Sequence, residues 1–157
     1  MLRILLVCSG NTCRSPMAEA IARSVAAERG ITDVVISSAG TGAWDGSGAS
    51  EGALLVGLER NVDLSTHRSR LLTAELVRAA DLVLVMSAAH AEQAEQLGGA
   101  GKTHLLTTYA SSGGETRSIP DPFGGDLEGY RATYDELDRE IRLLFDRIVA
   151  ERGSGPS

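Results

Sequence analysis

Cys8 and Arg14 are separated by five small or polar residues, Ser9, Gly10, Asn11, Thr12 and Cys13, and are followed at once by Ser15 and Pro16. These residue types at this spacing suit the capture of a tetrahedral anion. The backbone N–H groups of such a loop can turn inward as a nest that cradles the anion. A helix starting behind the loop adds partial positive charge. The Arg14 guanidinium offers a planar fork to two oxygens. Gly10 and Asn11 tolerate the left-handed backbone that a tight loop demands. The same field acts on Cys8. A helix N-terminus and a guanidinium beside a thiol favour the thiolate, which is the nucleophilic form. The hydroxyls of Ser9 and Ser15 are expected to hydrogen-bond that sulfur. A nucleophile and an oxyanion cradle at one point indicate phosphoryl transfer through a phosphocysteine.

That chemistry also needs a proton donor for the leaving group and later a base for the attacking water. One carboxyl group can serve both steps. Asp121 lies in Ile119-Pro120-Asp121-Pro122-Phe123-Gly124-Gly125. The flanking prolines stiffen the backbone around it, and the two glycines allow a sharp turn beyond Phe123. An Asp-Pro pair is equally at home in an ordinary surface turn.

The elements that must position these residues alternate along the chain. Ile4-Leu5-Leu6-Val7, Val34-Val35-Ile36 and Leu82-Val83-Leu84-Val85-Met86 are apolar runs without polar alternation. That is how strands covered on both faces read. His104-Leu105-Leu106 is a weaker fourth. Between them the spacing predicts helices. One has Ser15 as N-cap and Pro16 at its first position, with Gly30 closing it. Others fall near 50–60, 73–80 and 88–97. Leu127, Tyr130, Tyr134, Leu137, Ile141, Leu144 and Ile148 recur at spacings of 3, 4, 3, 4, 3 and 4, one apolar stripe of a long last helix. Residues 40–50 and 110–125 read as loops. The alternation predicts an α/β fold: a single-domain three-layer sandwich, with a central four-stranded parallel sheet and helices on both faces. Ligands of such folds bind at the carboxyl ends of strands, and Cys8 directly follows the first. One domain is expected over 1–152, with a frayed tail over 153–157.

Composition narrows the function classes. The chain has 157 residues, 43% hydrophobic and 23% charged, which is ordinary for a globular domain. Its net charge of −6 argues against non-specific binding to nucleic acid or anionic membranes, which needs a basic footprint. No apolar run approaches the ~20 residues of a membrane span. Residues 4–7 are too short for the apolar core of a signal peptide. The two cysteines do not make a disulfide scaffold, and their spacing suits neither a zinc finger nor a thioredoxin pair. The expectation is a reduced, cytoplasmic protein with no nucleic-acid or membrane partner.

The whole chain resembles the low-molecular-weight protein phosphatase family. The resemblance rests on Cys8-Ser9-Gly10-Asn11-Thr12-Cys13-Arg14-Ser15-Pro16, on Ser38-Ala39-Gly40, on the 80–86 strand, and on Asp121-Pro122-Phe123 before a long terminal helix. It implies that Cys8 is the nucleophile, Arg14 the phosphate clamp and Asp121 the general acid. It implies phosphate or substrate contacts from Ser9, Gly10, Asn11, Thr12, Cys13, Ser15, Trp44 and Phe123, and support of the loop by Asn11, Ser15 and His67. It also implies a reversible Cys8–Cys13 disulfide that shields Cys8 from over-oxidation. No metal or cofactor is implied, because Arg14 and the backbone already neutralise the charge. Phosphorylated proteins are the implied substrates, with inorganic phosphate or other oxyanions as product or inhibitor. His90 and His104 are given no role. Arg68 and Arg70 read as a solvated face or a positive rim. Where the family carries a proline after the Trp44 position, this chain has Gly46-Ser47-Gly48-Ala49-Ser50.

Two positions bear on the substrate. Tyrosine-specific members commonly carry an aliphatic residue at Thr12, whereas the bacterial arginine phosphatases of the family carry Thr there and Asp-Pro-Phe-Gly-Gly at the acid. Both features are present. A Thr hydroxyl meets the polar guanidinium of phosphoarginine, which an Ile would leave unpaired at a cost of roughly 1–3 kcal/mol. Trp44 stands for either substrate: its ring suits a phosphotyrosine or a stacked guanidinium. Phosphoarginine is the expected substrate and phosphotyrosine the alternative. An arsenate reductase of the same fold would need further cysteines for its relay. An inactive phosphate-binding adaptor would lack the nucleophile, the arginine or the acid, and all three are present.

Overall fold

The computed structural model describes residues 1–153. The first apolar run forms β1 (Leu2–Cys8). It pairs in parallel with β2 (Val34–Gly40) on one side and with β3 (Leu82–Val85) on the other, and β4 (Thr103–Leu105) extends the sheet beyond β3. The strand order is β2-β1-β3-β4. Both faces of the central strands are covered, which is why they read as unbroken apolar runs. Ile4, Leu6, Cys8 and Leu84 pack against α1 (Arg14–Glu28), α2 (Glu51–Glu59), α5 (Leu106–Ala110) and α6 (Leu127–Gly153). Leu5, Val7, Val83 and Val85 pack against α3 (Ala74–Ala79) and α4 (Ala88–Ala94). This is the expected three-layer sandwich on a four-stranded parallel sheet.

The stripe read for the last helix is buried: Tyr130, Tyr134, Leu137, Ile141, Leu144 and Ile148 all lie in the core, joined by Phe145, which is fully enclosed. Each such aliphatic or Phe side chain contributes about 1.5–3 kcal/mol by leaving water. Several boundaries differ from the sequence reading. Helix α1 starts at Arg14, with Cys13 as its N-cap residue, so Ser15 is inside the first turn rather than its cap. Pro16 then sits at the third helical position, where a backbone N–H still needs no intrahelical partner. Helix α4 stops at Ala94 and continues as a wider turn over Glu95–Gly99, which is kinked at Gly98, φ 105°. Leu106 belongs to the short helix α5 rather than to a strand. Gly153, expected in a frayed tail, ends α6, and the rest of that tail lies outside the described residues. No described helix is long and apolar enough to cross a membrane.

The topology decides where a ligand sits. The chain leaves β1 for β2 on one side and then crosses to β3 on the other. The loops after β1 and β3 therefore diverge and leave a crevice at the carboxyl ends of the strands. Cys8 is the last residue of β1.

Candidate active site

The segment after Cys8 curls into a loop that the rest of the chain holds from several directions. Asn11 is the left-handed residue, with φ 56°. Gly10, expected to share that conformation, does not adopt it. Asn11 is fully buried and its side chain is saturated. Its Nδ2 donates to Ser15 Oγ at 2.7 Å and to Ser38 Oγ at 3.0 Å, and its Oδ1 accepts from the Arg70 backbone N–H at 2.9 Å. His67 Nε2 donates to the Asn11 carbonyl at 2.7 Å, so this nitrogen carries the ring proton. Ser38 accepts from Asn11 and passes its own proton to Glu19 at 2.6 Å.

Hydrogen-bond accounting fixes what faces the sulfur. Ser15 Oγ accepts from Asn11 and lies 2.9 Å from Cys8 Sγ, and toward a thiolate, which only accepts, its single proton is the donor. Ser15 thus does what was expected of it. Ser9 does not: its Oγ lies 2.9 Å from His90 Nε2. His90 Nδ1 accepts the Ser87 backbone N–H at 3.1 Å, so Nε2 bears the proton and donates to Ser9. Burial pushes His90 down to about 4, with the Arg14 guanidinium assisting and Asp121 opposing, so the ring is neutral at physiological pH. Ser9 keeps its own proton free for the crevice. Sequence reasoning gave His90 no role. Its place just after β3 at the switch point was the available signal.

Arg14 is 6% exposed. It donates to the Ile119 carbonyl at 3.0 Å and lies 3.6 Å from the Asp121 carboxylate, which is half exposed. Asp121 Oδ1 accepts the Phe123 N–H at 3.0 Å, a local turn that fixes the carboxylate between its prolines. Cys13 is a buried free thiol that contacts Ser50 Oγ at 3.2 Å and Tyr130 Oη at 3.4 Å. Burial first, and then the hydrogen bond to Cys13, raise Tyr130 to about 12. Tyr130, in sequence a member of the α6 stripe, also reaches the loop with its hydroxyl.

Cys8, Thr12, Arg14, Trp44, Asp121 and Phe123 line one cleft of about 340 Å³. Trp44 is 84% exposed and Phe123 70%, two rings flanking its mouth. The segment without the family's proline is shaped instead by pairing with residues 69–71. The Gly46 N–H donates to the Ser69 carbonyl, the Ser69 N–H to that of Ser47, and the Leu71 N–H to Asp45. Arg70 turns inward to the Ser38 carbonyl and Arg68 to the His67 carbonyl, so neither is a rim of this cleft. His104 packs on the Tyr109 ring, away from the site.

A buried arginine, a helix N-terminus and a cysteine at the switch point of a parallel α/β sheet define a site for a tetrahedral oxyanion beside a nucleophile. Comparison with known proteins agrees with that class. The family profile described as low molecular weight phosphotyrosine protein phosphatase matches residues 3–154. The protein-arginine-phosphatase of Bacillus subtilis is 37% identical over 149 residues, covering 95% of this chain and 98% of the relative. The low molecular weight protein-tyrosine-phosphatase PtpB of Staphylococcus haemolyticus is 37% identical over 137 residues, covering 87% and 92%. The structure of the YwlE arginine phosphatase from Geobacillus stearothermophilus superposes with a TM-score of 0.91 at 36% identity, covering 100% of this chain and 99% of that one. The chain belongs to the low molecular weight phosphotyrosine protein phosphatase family, and it is a protein phosphatase.

Proposed function

We propose that this enzyme hydrolyses phosphoarginine in proteins through a phosphocysteine on Cys8. The Cys8 thiolate attacks phosphorus while Arg14 and the loop N–H groups hold the oxygens. Asp121 gives its proton to the departing guanidine nitrogen as the P–N bond breaks and the S–P bond forms. Asp121 then takes a proton from water, which attacks the phosphocysteine and releases inorganic phosphate, also expected as a product inhibitor. Ser9, Gly10, Asn11, Cys13 and Ser15 shape or line the cradle, His67 supports it, and Trp44 and Phe123 flank the substrate. Cys8 and Cys13 are the pair we assign to a reversible protective disulfide. With two thiols to keep reduced, the cytoplasm is the compartment that suits the enzyme.

The observation that carries the arginine reading is the Thr12 hydroxyl. Thr12 lines the cleft with Cys8 and Asp121. Among the described residues its hydroxyl meets only Cys13 Sγ, at 3.8 Å, and so is free for a substrate N–H. The exposed Trp44 ring also suits a phosphotyrosine and supports the second reading, a phosphotyrosine phosphatase. Phosphate release from phosphoarginine and phosphotyrosine peptides separates the two. Wild type is expected to prefer phosphoarginine, and Thr12→Ile to shift the preference towards phosphotyrosine by roughly tenfold or more. A wild-type preference for phosphotyrosine sinks the arginine reading.

A further inference from the structure

The segment that carries Asp121 is long, running from the end of α5 to the start of α6, and has few ties to the body of the protein. Ile119 is one: its N–H donates to the Met86 carbonyl at 2.9 Å and its carbonyl accepts from Arg14. The Asp121 carboxylate, 3.6 Å from Arg14, is a second, and Arg117 is a third. Its carbonyl accepts from Thr107 Oγ1 at 2.5 Å. Its guanidinium pairs with Glu140 at 2.7 Å and with Glu136, one turn apart on α6, and with Glu115 of its own segment at 3.4 Å. Among the described residues, Arg117 is the one side chain between 112 and 120 that forms an ion pair with the body. Glu140 is 1% exposed while the Arg117 side chain is 37% exposed, so the pair is shielded from water and salt on the Glu140 side only.

We infer that Arg117 is a positioning residue for proton transfer, clamping the segment so that Asp121 stands at the leaving atom. From Arg117 the chain passes through Ile119, pinned on both its N–H and its carbonyl, and through Pro120, whose φ is fixed. Little freedom remains before the carboxylate. A fork that engages two carboxylates on consecutive turns sets both the distance and the rotation of the segment, which a single ammonium cannot do. A displacement of about 1 Å at a reacting group costs on the order of a hundredfold in rate. The position belongs to the segment, not to the phosphate loop. Loss of the clamp therefore acts more on proton donation than on attack by Cys8, which it reaches only through the Ile119 carbonyl on Arg14.

This inference rests on the reading of Asp121 as the acid, and leaving-group dependence tests the two separately. The readout is kcat/KM for phenyl phosphate, whose phenol has a pKa of about 10, relative to 2,4-dinitrophenyl phosphate, whose leaving group departs without a proton. Asp121→Asn, Arg117→Met and Arg117→Lys are compared with wild type. Arg117→Lys keeps a cation beside buried Glu140 and so protects folding if Arg117→Met does not fold. Asp121→Asn is expected to lower the ratio by about a hundredfold. Arg117→Met is expected to lower it about tenfold and Arg117→Lys by less. If Asp121→Asn leaves the ratio unchanged, the assignment of the acid fails. If it lowers the ratio and every folded Arg117 variant keeps the wild-type value, or loses both substrates equally as mere destabilisation would, the positioning role is overturned.

Discussion

Ser15 Oγ lies 2.9 Å from Cys8 Sγ while accepting from Asn11 Nδ2, so its one proton is available to the sulfur. The loop and the Cys8 sulfur are thereby one network. Ser38 and Glu19 on its far side hold Asn11, and Asn11 holds Ser15.

Ser15→Ala removes the hydroxyl that faces the proposed nucleophile and leaves Asn11 Nδ2 short of a partner. A hydrogen bond to a charged group contributes about 1.5–3 kcal/mol. The variant is expected to lose roughly tenfold to a hundredfold in kcat/KM, and its Cys8 should alkylate more slowly with iodoacetamide at neutral pH. An unchanged alkylation rate would show that Ser15 does not act on the sulfur.

Gly40 ends β2 directly beneath the loop. A Cβ there would stand 2.5 Å from the Ser9 carbonyl oxygen, 2.8 Å from the Asn11 nitrogen and 3.0 Å from Ala43 Cβ. Two of these neighbours are loop backbone, which has no rotamer to yield. Gly40→Ala is therefore expected to weaken vanadate and phosphate inhibition by about tenfold or more, since the loop N–H groups must move. Titration of activity with vanadate checks this, and a fully retained affinity would mean that the loop does not rest on Gly40.

His90 links acid stability to the site. Its folded pKa is about 4, below its ordinary value of 6.5. Between those values the unfolded chain binds more protons than the native one, so stability is full above 6.5 and falls as pH drops towards 4. Across that window the loss attributable to His90 is about 3 kcal/mol. Urea unfolding at pH 7 and near pH 4.5 should show a steeper acid loss for wild type than for His90→Gln, which cannot titrate. Equal slopes would remove His90 from the account.

Much of this was legible because local rules sufficed. Unbroken apolar runs predict strands covered on both faces, their alternation with helical patterns predicts the parallel sheet, and a stripe at 3 and 4 spacing predicts α6. Cys8, Arg14 and the left-handed Asn11 belong to one short loop, whose chemistry follows from residue type and spacing. Asp121 is distant in sequence, but its prolines and glycines mark its turn.

The tertiary structure decided the partners. Ser9 was expected at the sulfur and instead meets His90, because the loops after β1 and β3 face each other only once the sheet is ordered β2-β1-β3-β4. Tyr130 looks like any stripe residue until α6 lays its hydroxyl against Cys13, and Arg117 looks like a loop cation until α6 presents Glu136 and Glu140. The physical reason is the range of the forces. Hydrophobic periodicity and backbone sterics act between residues close in sequence and can be read along the chain. Hydrogen bonds and ion pairs act over a few ångströms in space, and the identity of their partners exists only after the layers have packed.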